Sequence, residues 1–69
     1  MGEVYILEVD DNYYGDTFYL TINKAEYEAD KLAIKLNNSV AVVTYNGSST
    51  AYYITPEEAI TEVQCKWHH

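Results

Sequence analysis

Four side chains that could coordinate a cation through oxygen stand close together near the start of the chain: Asp10, Asp11, Asn12 and Asp16. A calcium loop of the EF-hand kind needs oxygen ligands at alternating positions, a central glycine and a bidentate glutamate at position twelve. Counted from Asp10, Asn12 falls at three and Gly15 at six, but Tyr14 falls at five and Thr21 at twelve. The bidentate ligand is missing. The segment Asp10–Asp16 therefore reads as a solvated hairpin turn, in which Asx residues and Gly15 supply the unusual dihedrals. Structural zinc needs four ligands, usually as two spaced pairs, and Cys65, His68 and His69 fall short of that set. No metal or other cofactor is expected.

Catalysis is not expected either. Cys65 would need a base beside it to act as a nucleophile, and its place in an alternating apolar run predicts a small buried hydrophobe instead. Arginine is absent, as are a glycine-rich phosphate loop and any Ser/His/Asp set. A domain made of one sheet and one helix seldom encloses a pocket of ligand size.

Charge and tyrosine carry what signal there is. Eleven acidic residues stand against four lysines, for a formal net charge of −7. Nucleic acid and anionic membranes select basic surfaces, so neither is an expected partner. A basic protein surface is the natural complement, although acidity also simply keeps a small protein soluble. Eight tyrosines accompany one Phe and one Trp. Tyrosine joins a large contact area to a polar tip and is enriched at interfaces, yet half-exposed strands also use it routinely. Tyr13 and Tyr14 fit the first account better, because they sit in a turn flanked by aspartates.

The elements that must position these residues follow from periodicity. With 69 residues there is length for one domain, 1–69, and a marginal core. One cysteine allows no intrachain disulfide, no apolar run approaches the ~20 residues of a membrane span, and the start lacks a signal-peptide pattern; a cytoplasmic setting is expected. Glu3–Val9 predicts a strand covered on both faces. Asp16–Ile22 predicts a second, with Phe18, Leu20 and Ile22 facing the core. Asn23 is placed as a helix N-cap with Glu26 closing a capping box and Ile22 and Tyr27 forming a staple. The stripe Ala25, Ala29, Leu32, Ala33, Leu36 follows, with Leu32 central, and Asn37 and Asn38 end the helix. Val40–Tyr45 and Thr50–Thr55 read as strands joined by an Asn46-Gly47 hairpin, with positive φ at Gly47. Thr55-Pro56-Glu57-Glu58 starts a helical turn through about Ile60, and Thr61–Trp67 alternates like a fifth strand. The expected fold is α+β, a single antiparallel sheet of four to five strands packed on one helix in the order ββαββ(β).

In its size, acidity, tyrosine content, lack of arginine and order of elements, the chain resembles the small inhibitors that phages and mobile elements encode against host machinery, anti-CRISPR proteins and DNA mimics among them. The resemblance matches no motif residue by residue. It implies a stoichiometric, non-enzymatic inhibitor in the host cytoplasm whose carboxylates occupy a basic groove made for nucleic acid. The candidate mimics of phosphate are Glu8, Asp10, Asp11, Asp16, Glu26, Glu28 and Asp30, and the expected contact set is Asp10, Asp11, Tyr13, Tyr14, Asp16, Glu26, Glu28 and Asp30. The alternative is a structural or assembly protein that forms homo-oligomers through a sheet edge or a tyrosine-rich face.

Overall fold

The computed structural model describes residues 3–46 and 49–67. Within them the chain is α+β: four strands form one antiparallel sheet, one helix lies against it and a second helix packs on the first. The strands are β1 (Tyr5–Val9), β2 (Asn12–Tyr13), β3 (Val40–Thr44) and β4 (Thr50–Ile54), in the spatial order β2-β1-β3-β4. The helices are α1 (Ile22–Leu36) and α2 (Pro56–Cys65). The Gly47 position of the β3–β4 hairpin lies outside the described residues, as do His68 and His69.

The first hairpin turns earlier than the sequence predicts. Val9 pairs with Asn12, so Asp10 and Asp11 alone make the connection, both with positive φ (53° and 65°). Two successive left-handed residues are what a type I′ turn requires, and aspartate is one of the few non-glycine residues that tolerate the region. Gly15, also left-handed at φ 73°, belongs to the loop beyond.

The predicted strand Asp16–Ile22 is not formed. Tyr14 N–H still donates to Leu7 O, and Tyr5 and Tyr19 exchange both backbone hydrogen bonds. Between those points Ile6 alone faces the four residues Gly15–Phe18, so the pairing bows outward. Directly opposed residues share a sheet face, and Tyr5 faces the helix. Tyr19 therefore turns inward while Phe18 and Leu20 are exposed, the reverse of the alternation expected.

α1 begins at Ile22, with Thr21 as its N-cap: the Thr21 hydroxyl accepts from the Lys24 N–H at 3.2 Å. Asn23 lies inside the first turn, so the box with Glu26 is not made. Asn37 ends the helix in the left-handed conformation, as predicted. Ala25, Ala29 and Ala33 are wholly buried against Leu7, Val40, Val42 and Ile54, while Leu32 and Leu36 lie at the margin of that cluster or beyond it. The centre of the core is thus an alanine seam that brings the helix close to the sheet, and Leu32 flanks it.

The fifth strand is absent, because the tail is helical. Thr55 and Glu58 complete a reciprocal capping box, with Pro56 in the first turn. Helix formers (Glu57, Glu58, Ala59, Glu62, Gln64) outweigh the β-branched Ile60, Thr61 and Val63. Ala59 takes the inner side and joins the buried alanines of α1, and Val63, four residues on, is partly buried. Cys65, expected to be buried, is an exposed residue of the last helical turn.

Candidate functional site

Both helices lie on one side of the sheet. Tyr5, Leu7, Val9, Val40, Val42, Tyr52 and Ile54 point toward them. The alternate residues point the other way, and among the described residues no helix packs against that face. Register defines its surface: Glu8 opposes both Tyr13 and Ala41, and Ala41 opposes Tyr53. One row thus runs Tyr13–Glu8–Ala41–Tyr53 across all four strands. Ile6 and Val43 are paired in the next row. Beyond it, Phe18 meets Tyr45 edge to face, with ring centroids 5.2 Å apart. Tyr13, Phe18, Tyr45 and Tyr53 are each at least half exposed.

Two hollows indent this face. One, of about 220 Å³, involves Ile6, Tyr13, Phe18 and Tyr45 with Asp16. The other, of about 280 Å³, is lined by Glu8, Asp10, Asp11, Asn38, Ser39, Ala41 and Tyr53. Asp10 is steadied there by Asn38, whose amide donates to both carboxylate oxygens at 3.2 and 3.4 Å.

Cations are segregated from this surface. Lys24, Lys31 and Lys35 are on α1 and Lys66 follows α2. Lys24 and Lys31 pair with Glu28 at 3.1 and 4.0 Å and also lie over the Tyr27 ring, while Lys66 pairs with Glu26 at 2.8 Å. The sheet face with its rim carries Glu8, Asp10, Asp11 and Asp16 and no lysine. A larger hollow, about 490 Å³, lies between the loop at Tyr14–Tyr19 and α1. Lys31 and Lys35 line it on the helix side.

The expected contact residues therefore fall into two groups. Asp10, Asp11, Tyr13, Tyr14 and Asp16 are exposed around the first hairpin. Glu26 and Glu28 are engaged by lysines on the helical layer, and Asp30 is wholly buried. The carboxylate of Asp30 accepts from the Tyr52 hydroxyl at 2.9 Å and the Trp67 indole N–H at 2.6 Å, joining β4, α1 and the segment after α2. The reading of the tail as a strand concealed this role, since it removed the helix that Asp30 faces. Tyr45 and Tyr53 were recoverable from the alternation of their strands, which sets them opposite Val40, Val42 and Ile54. Phe18 was not recoverable, because its face depended on the bowed pairing.

Burial, and then the bond to Asp30, hold the Tyr52 hydroxyl far above the ordinary tyrosine value; burial and Glu28 shift Tyr19 the same way. Unfolded tyrosine ionises near pH 10. Above that pH the unfolded chain releases a proton that folded Tyr52 keeps, so stability falls as pH rises, by up to about 1.4 kcal/mol per pH unit. Tyr52→Phe is expected to flatten the decline in urea midpoint between pH 9 and 11. An equally steep decline in that variant would show that Tyr52 does not set it.

Among the described residues no three of His, Cys, Asp and Glu converge as a metal site, and no helix is long and apolar enough to cross a membrane. No family model matches the chain, and no significant match to it was found among curated proteins or solved structures.

Proposed function

We propose that this chain is a stoichiometric protein-binding inhibitor or modulator whose open sheet face occupies a basic surface of a host protein, of the kind that holds nucleic acid. The role is binding and not catalysis, in the cytoplasm of the host cell. The observation that carries it is the segregation of charge: a sheet face that no helix covers, with exposed rings beside the buried Ile6 and Val43, carries Glu8 and is rimmed by Asp10, Asp11 and Asp16, while the lysines lie on the helical layer. Aromatic rings supply the desolvated anchors of an interface and carboxylates steer a cationic partner toward them. Asp10, Asp11, Tyr13 and Asp16 stay in the contact set, which now includes Glu8, Phe18, Tyr45 and Tyr53, whereas Tyr14, opposite Leu7, turns to the helical side. Glu26, Glu28 and Asp30 serve the fold instead.

The test starts with capture of partners from a bacterial lysate, followed by binding kinetics for the captured protein across a salt series. A basic partner is expected, with association slowed by salt. Removing two rings, Tyr13→Ser with Phe18→Ser, is expected to speed dissociation by about tenfold or more, since truncating a buried anchor costs about 2 kcal/mol or above. An acidic partner, or dissociation unmoved by loss of both rings, overturns the proposal.

A further inference from the structure

The spatial order leaves β4 at the edge of the sheet, paired only with β3. Its unused side follows from the ladder. Tyr45 N–H donates to Val4 O, so Val43 and Ala41, of the same parity, direct their backbone groups to β1. Val42 and Val40 then bond β4 through Tyr52 and Ile54, which turns the N–H and C=O of Tyr53 outward. Folded proteins commonly blunt such an edge with lysine, proline or a very short strand. β4, Thr50–Ile54, has five residues and carries no charge and no proline. The opposite edge strand, β2, has two residues.

A groove of about 480 Å³ runs beside this edge, between Tyr52, Tyr53 and Ile54 of β4 and Glu58, Thr61 and Glu62 of α2. Lys66, the one cation lining it, is held by Glu26. The Glu62 carboxylate has no hydrogen-bond or ion-pair partner among the described residues. A second copy of the chain is a poor occupant, because antiparallel pairing would set the carboxylates of two α2 helices against each other between molecules that each carry −7.

We propose that the groove receives an extended basic segment of the partner protein, which adds to the sheet as a fifth strand against β4 while its lysines or arginines meet Glu58 and Glu62. This deepens, and rests on, the reading of the chain as a binder of basic proteins. Main-chain pairing gives strand addition its affinity and alternate side chains give it its selectivity. One side of the added strand faces α2 and the other continues the open face beyond Tyr53, so a single partner can use both surfaces.

Three eight-residue probes test it: peptides alternating threonine with lysine, with serine and with glutamate, each added to the ¹⁵N-labelled protein. The lysine peptide is expected to bind in preference to the others and, at about nine-tenths occupancy, to slow exchange of the Tyr53 amide by about tenfold. Glu62→Lys is expected to weaken that binding by about tenfold, with Glu62→Gln intermediate and the circular dichroism of both unchanged. Binding that leaves the Tyr53 amide unprotected, perturbs Tyr13 and Phe18, and ignores Glu62→Lys overturns the inference and leaves the sheet-face reading standing. Failure of all three peptides, with salt-sensitive capture of a basic protein intact, does the same; loss of that capture as well removes both. Tyr53 protection that grows with protein concentration alone, alongside a doubled mass, would identify self-pairing and overturn the proposal.

Discussion

Asp30→Ala is expected to lower the stability of the fold by about 2–4 kcal/mol, a large share of what a domain this small has. The wild-type carboxylate is wholly buried and accepts two hydrogen bonds from different parts of the chain. Alanine leaves the Tyr52 hydroxyl and the Trp67 indole N–H without their acceptor, and each half-buried donor then contributes a desolvation penalty of about 1–3 kcal/mol. Trp67→Phe, which keeps a ring beside Tyr27 and removes one donor, is expected to cost less. The two changes should combine to less than the total of their separate effects, because they break a shared bond. Urea denaturation of the four proteins measures this. An unchanged midpoint for Asp30→Ala would show that the carboxylate does not hold the helices to the sheet.

Neutralising the hairpin (Asp10→Asn, Asp11→Asn and Asp16→Asn together) is expected to slow association with a basic partner by about tenfold at low salt. It should also reduce the dependence of that rate on ionic strength. The change takes the formal net charge from −7 to −4. Asparagine is the right replacement because Asp10 and Asp11 are both left-handed, a conformation asparagine tolerates and lysine does not. The stability of the variant should then stay near that of the parent, which separates steering from folding. Stopped-flow association at several salt concentrations is the measurement. A rate indifferent to the three neutralisations would sink the steering role of this hairpin.

The difference between what the sequence conveys and what folds here has local causes. α1 with its Asn37 end, β1, β3, β4 and the Thr55 capping box are legible because alternation, length and those caps agree, whereas the Asn23 and Glu26 pattern sets the start of α1 two residues late, at Asn23 instead of Thr21. The tail misleads because Thr61, Val63, Cys65 and Trp67 alternate over too few residues to separate period 2 from period 3.6, and the register of Ala59 with Val63 is equally present. Asp16–Ile22 misleads for another reason: its alternation is real, but the bow at Gly15–Phe18 breaks its pairing, and pairing with Tyr5 decides which face Tyr19 takes. For the candidate site, the sequence points to the first hairpin through its aspartates and tyrosines. It cannot separate exposed from engaged carboxylates on α1, since Glu26 is engaged by Lys66 and Asp30 by Tyr52 and Trp67, which lie 22 to 40 positions away.

The placing of Trp67 has a practical consequence. It is the chain's single tryptophan, so light at the red edge of the aromatic absorption band excites one emitter while the eight tyrosines stay dark. Its indole N–H is bonded to Asp30 and its ring meets Tyr27 at 5.3 Å, so its emission changes when the segment after α2 leaves α1. The open sheet face lies on the other side of the sheet from α1. Fluorescence of the unlabelled protein therefore follows unfolding and should stay quiet when a partner docks on that face, so the two events can be read apart in one cuvette.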